Sequence, residues 1–304
     1  MANFKPKLAS KQHERKIRLA IAVHSHAPQA RNAVGFSHRV LACAGLPHTD
    51  PGDDLPCWTR VNGHFVMTVQ PGFVADGQGG LRTLGYPYGS LPRLVLIFLT
   101  TEAVRTRSPR IVLGRSMADF FRAIGLVPNS RRSGMLRSQL ARLLGASIRV
   151  THTTENTLRG ADNHVANEFS LLWSREHQSA PCNQTSFITL NQRLFEELIE
   201  GPFPVDLEIV SGIRQSPMAI DLYLFLSYRI FRLHRPTRIP VADLALQMGA
   251  NYANLAEFSR ECGRALRLLK MFWPRLHYRR VRGALELLPS APSVPSVFKE
   301  NFPI

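Results

Sequence analysis

Hydrophobic positions recur at helical spacing through most of the chain, and the breaks between them fall at prolines, glycines and Ser/Asn turns that bound the elements. From residue 92 the pattern predicts a helix (92–105), a short strand (110–113) and a second helix (116–124). Ser116 is placed to cap that second helix, Asp119 follows three residues on, and Gly125 ends it. A third helix (133–144) puts Leu136, Leu140, Leu143 and Leu144 on one side, leaving Arg137, Ser138, Gln139 and Arg142 on the other. Two strand-like stretches follow, 147–154 and 164–173.

The order recurs after a junction at 202–215. An apolar helix (217–234), a helix opened by Pro240 (240–248) and a third helix (254–272) precede a hairpin of 275–281 and 284–288 about Arg282-Gly283. Short identities accompany the repeated order. Ala118-Asp119 with Gly125 returns as Ala242-Asp243 with Gly249, each preceded by Arg-Ile, at Arg110-Ile111 and Arg238-Ile239. The expected fold class is α+β, with two tandem winged-helix domains, a helix-turn-helix variant, at 91–180 and 185–290. Residues 1–90 read as an accessory region with a basic start, a Pro- and Gly-rich acidic loop and a hairpin about Asn62-Gly63; 291–304 read as a tail.

Composition sharpens this. The chain has 304 residues, 44% of them hydrophobic, enough for one large or two ordinary cores. It carries 38 Lys plus Arg against 22 Asp plus Glu, a net charge of +16, which favours a polyanionic partner. The charge is clustered: residues 105–149 hold ten arginines and one acid, Asp119, whereas residues 155–214 hold nine acids and four bases. Residues 260–282 again hold eight bases against Glu261 alone. Three helices and a hairpin bearing such charge suit a reading helix in the major groove and a wing on the backbone. The expected DNA contacts are Arg131, Arg132, Arg137, Ser138, Gln139 and Arg142 in the first unit. In the second they are Arg260, Arg264, Arg267 and Lys270, with Arg279, Arg280 and Arg282 on the wing.

Catalysis is not expected. No Walker loop is present, and the glycines at 77, 79 and 80 lead into no Gly-Lys-Ser/Thr. His24-Ser25-His26 lacks the hydrophobe of a His-hydrophobe-His metal pair, and Asp50, Asp53 and Asp54 read as a solvated loop. Cys43, His48, Cys57 and His64 contain no Cys-x2-Cys spacing, and with Cys182 and Cys262 the thiols read as reduced and scattered. Neither a metal nor a cofactor is implied. The longest apolar runs fall far below the ~20 residues of a membrane span, so a cytoplasmic protein is expected.

Three segments carry a family resemblance: Gly85-Tyr86-Pro87-Tyr88-Gly89-Ser90-Leu91-Pro92-Arg93, Thr100-Thr101-Glu102-Ala103 and Leu113-Gly114-Arg115-Ser116-Met117-Ala118-Asp119-Phe120. Together they resemble the RepA-type plasmid replication initiators, over about residues 35–288. The resemblance implies a bacterial protein that binds direct repeats in double-stranded plasmid origin DNA and melts neighbouring DNA. It also implies recruitment of the host initiator and replicative helicase, and a homodimer through the first winged-helix unit. The physical reading alone also admits a winged-helix transcriptional repressor on a promoter operator, or non-specific nucleoid packaging.

Overall fold

The computed structural model describes residues 20, 33–43, 45–63, 65–154, 157–171, 185–248 and 252–295. In chain order, β1 (Val34–His38), α1 (Arg39–Cys43), β2 (Trp58–Asn62), β3 (Phe65–Gln70), β4 (Gly72–Ala75) and β5 (Leu81–Gly85) come first. The first helical unit holds α2 (Ser90–Thr106), β6 (Arg110–Gly114), α3 (Met117–Ala123) and α4 (Ser130–Gly145), then β7 (Ser147–Thr154), β8 (Thr157–His164), β9 (Ala166–Ser170) and β10 (Ser186–Leu190). A link of α5 (Gln192–Glu200), β11 (Pro202–Asp206) and α6 (Leu207–Ile213) leads into the second unit. That unit holds α7 (Pro217–Ile230), β12 (Thr237–Pro240), α8 (Val241–Met248), α9 (Leu255–Phe272), β13 (Tyr278–Val281) and β14 (Ala284–Leu287).

Helices α2 and α7 occupy the middle because both are apolar on nearly every side, which forces burial all round. In α2, Leu94, Val95, Leu96, Ile97, Leu99 and Val104 are buried; in α7 every residue from 218 to 227 is. The amphipathic helices lie outside them. Helix α4 packs on α2 and buries Leu136, Leu140, Leu143 and Leu144, while α9 packs on α7 and buries Phe258, Cys262, Leu266 and Leu269. Phe120 and Phe121 are wholly buried, as a core role for them requires. Ser116 caps α3 as expected: its Oγ accepts the Asp119 N–H at 3.1 Å and donates to the Asp119 carboxylate at 2.7 Å.

The two units share a sheet topology. In the first the order is β6-β10-β9 and in the second β12-β14-β13, all antiparallel, so in each the first strand pairs with the last. The matched Arg-Ile pairs fall on equivalent strands: Ile111 sits opposite Ile188, and Ile239 opposite Leu285, with both isoleucines buried. Gly249, the last member of the repeated pattern, lies outside the described residues.

One pairing expected from the sequence is corrected. Residues 147–154 and 164–173 are not the hairpin of the first unit; β7 instead pairs with β3 and β8 in a four-stranded sheet, β2-β3-β7-β8. The strand that closes on β6 is β10, which the sequence reading left unassigned. Alternation along a strand reports that it is a strand, whereas its partner is chosen by long-range packing.

The described part of the first ninety residues is woven into both units. The β2-β3 pair, turning at Asn62 opposite Phe65, supplies half of the four-stranded sheet and packs on α8. Strand β1 pairs with β11, Val34 opposite Asp206, and packs on α2.

Candidate nucleic-acid interface

Helix α9 starts where Asn254 Oδ1 accepts the Glu257 N–H at 2.9 Å, a side-chain cap that fixes the first turn. With its apolar stripe buried against α7, the i, i+4, i+7 row Arg260, Arg264 and Arg267 is left exposed. Arg264 Nη2 lies 2.7 Å from Glu261 Oε1 yet its side chain stays 60% exposed. Arg260 and Arg267 have no ion pair among the described residues. Cys262 lies on the buried side, where burial pushes its thiol up to about 11 and leaves it without nucleophilic character near neutral pH.

The hairpin β13-β14 lies against this helix through Arg280, whose Nη2 donates to Ser259 Oγ at 3.0 Å. Gly263 makes the approach possible, since a Cβ there would stand 2.6 Å from Arg280 Nη1. Arg282 is exposed at the turn. Arg279 is 71% exposed at 3.9 Å from Glu286, and Arg238 on the neighbouring edge strand β12 is equally exposed at 3.1 Å from the same carboxylate. Seven arginines, Arg238, Arg260, Arg264, Arg267, Arg279, Arg280 and Arg282, are therefore exposed on one helix and its sheet. Lys270 is exposed, and its Nζ donates to the Pro274 and Leu276 carbonyls at 2.7 and 2.6 Å, tying the end of α9 to the following turn.

In the first unit the expected contacts divide. Asn129 caps α4 by accepting the Arg131 and Arg132 N–H groups, and Arg131, Arg132, Arg137 and Ser138 are exposed. Gln139 is buried and its Oε1 accepts the Tyr88 N–H at 2.9 Å, so it is not available to a base edge. Arg142 donates to Asp50 Oδ2 at 2.9 Å and to the Tyr86 carbonyl at 3.2 Å. Both are corrected to roles in holding the segment 86–88 on the helix. Helical spacing put them on the polar side, but α4 has a second covered side, under the β4-β5 hairpin, that periodicity alone does not announce.

Two residues the sequence reading missed belong to the basic surface. Arg238 was noted only as part of the repeated Arg-Ile pair. Gly263 could have been found as a glycine inside an 18-residue helix, where it costs about 1 kcal/mol relative to alanine and so marks a close approach.

Among the described residues no group of three or more His, Cys, Asp or Glu could hold a metal ion, and His48 of the notional quartet is engaged with Asp221 at 2.9 Å. His24, His26, His64 and Cys182 lie outside the described residues. Among the described residues no helix is long and apolar enough to cross a membrane.

Two crystal structures of domains 2 and 3 of RctB are similar in fold: one with a TM-score of 0.51 at 14% identity over 81% of this chain and 94% of that one, the other with 0.53 at 13% over 82% and 97%. At such identity the likeness concerns the fold alone, an α+β arrangement over most of both chains. A comparison with curated protein sequences returns no match. The family model described as plasmid encoded RepA protein matches residues 86–240, just over half of the chain. A match of that extent, over the segments where the sequence resemblance was strongest, places the chain in the RepA family of plasmid replication initiators, which are DNA-binding proteins and not enzymes.

Proposed function

We propose that the protein initiates plasmid replication by reading direct repeats in the origin with two winged-helix heads, α4 with its sheet and α9 with its wing. The second head carries most of the sequence discrimination. The observation that supports this most is the exposed row Arg260, Arg264 and Arg267 beside the arginine-bearing hairpin β13-β14. Arginine's planar fork suits guanine O6 and N7, and a row of three arginines in which only Arg264 has an acid partner, Glu261, is unfavourable for a helix unless an anion covers it. Arg131, Arg132, Arg137 and Ser138 form the weaker head. The first unit also provides the surface for a homodimer, and the bound protein melts adjacent DNA and recruits the host initiator and replicative helicase, as membership of the family implies.

DNase footprinting on the plasmid's own origin tests the reading. Protection of tandem repeats beside an AT-rich tract is the expected result. Protection of a single palindrome over a promoter would make the protein a repressor instead, and uniform protection would reduce it to a packaging protein.

A further inference from the structure

Each of the two central helices buries one charge, and the two charges meet. Arg93 on α2 and Asp221 on α7 have side chains only 4% and 5% exposed. Arg93 Nε donates to Asp221 Oδ1 and Nη2 to Oδ2, both at 2.7 Å, a two-pronged contact. The remaining donors go to backbone carbonyls: Nη1 to Gly89 at 2.7 Å and Pro47 at 3.1 Å, Nη2 also to Leu46. All five guanidinium N–H groups are thus used. His48 Nε2 approaches Asp221 Oδ2 at 2.9 Å from the same loop, and Gly45 lies so close that a Cβ would stand 2.5 Å from that oxygen. Burial opposes the Asp221 charge, but the Arg93 charge and the bonds from His48 and Arg93 hold its carboxyl below the usual range.

Such a pair is not needed for stability, because a well-packed apolar replacement commonly serves as well. What it adds is orientation. Apolar faces tolerate sliding, whereas a fork on a carboxylate loses a bond when either helix turns or shifts. Here α4 packs on α2, α9 packs on α7, and α2 and α7 pack on each other, so the placement of α2 against α7 bears on how the two arginine-bearing helices are disposed. We propose that the Arg93–Asp221–His48 cluster is a specificity-determining lock that fixes the spacing and phase of the two reading heads, and so the spacing of the major-groove sites they occupy together. This rests on the two-headed reading above.

The test uses the full chain and duplexes carrying the plasmid's origin repeat with one to ten base pairs inserted between its two protected major grooves. Wild-type affinity should fall about a hundredfold at a half-turn insertion of ~5 base pairs and recover in part near a full turn. The double variant Arg93→Met/Asp221→Leu removes both charges without stranding either, and Arg93→Lys keeps the charge but loses the fork. With native melting behaviour, both should bind the uninserted repeat within a few-fold of wild type but lose less than about tenfold at the half turn. If wild type is itself indifferent to the insertion, the two-headed reading fails. If wild type is sensitive and the folded double variant is equally so, the lock is overturned and two-headed binding stands.

Discussion

The two arginine-rich helices look alike in sequence and differ in the structure. On α9 the arginines at 260, 264 and 267 face outward and the neighbouring hairpin adds three more at 279, 280 and 282. On α4 the last two residues of the polar side, Gln139 and Arg142, are spent on Tyr88, Tyr86 and Asp50. The strands equivalent to the β13-β14 hairpin, β9 and β10, contain no Lys or Arg and one acid, Glu168. A count of basic residues does not measure what a surface can offer to phosphate; that depends on which charges the fold has already consumed.

This contrast can be broken most strongly by removing all three outward arginines. Arg260→Ala/Arg264→Ala/Arg267→Ala should lower affinity for the specific repeat by roughly 3 to 6 kcal/mol, each single change at 264 or 267 costing about 1 to 3 kcal/mol and relaxing base preference. Titration by fluorescence anisotropy checks it. The equivalent triple change at Arg131, Arg132 and Arg137 should cost less than half as much; an equal or larger loss would reverse the ranking of the heads.

Arg142→Ala sharpens the comparison from the other side. It should destabilise the fold by about 1 to 2 kcal/mol in denaturant titration, because it strands the Tyr86 carbonyl and Asp50, while the folded fraction binds the repeat within twofold of wild type. A large loss of affinity with unchanged stability would return Arg142 to the DNA surface.

Gly263→Ala should do the opposite. Helix propensity favours it by up to about 1 kcal/mol, yet the new methyl displaces Arg280 from its seat on Ser259, so specific and random DNA should both bind several-fold more weakly. The smallest effect is expected of Arg282→Ala, which should reduce the slope of log affinity against log salt by about 1 with little change in base preference.

The helices and the hairpin of the second unit were legible because each is marked locally: Pro240, Asn254, the apolar stripe of α9 and the Arg282-Gly283 turn all act within a few residues, whereas the four-residue strand β12 was not read. The first unit was harder. Its closing strand β10 is five residues long and stands 72 positions from β6 along the chain, counting from Leu113–Gly114 to Ser186, so no window of sequence holds both. Strand β7 alternates as a wing strand would, and only its pairing with β3 reveals that it belongs elsewhere. Among the candidate contacts, exposure followed periodicity wherever a helix had a single covered face, as on α9. It failed on α4, where the β4-β5 hairpin covers a second. The Arg93–Asp221 pair was invisible for a related reason: its members lie 128 residues apart, each reading as an isolated charge in an apolar helix.

The most direct measurement is methylation interference at guanine N7 over one origin repeat, comparing wild type with the Arg264→Ala/Arg267→Ala variant. Interference is expected in two successive major grooves about one helical turn apart, ~10 base pairs, with loss confined to one groove in the variant. Interference in a single groove, or a variant that keeps both sets of contacts at wild-type strength, would contradict it.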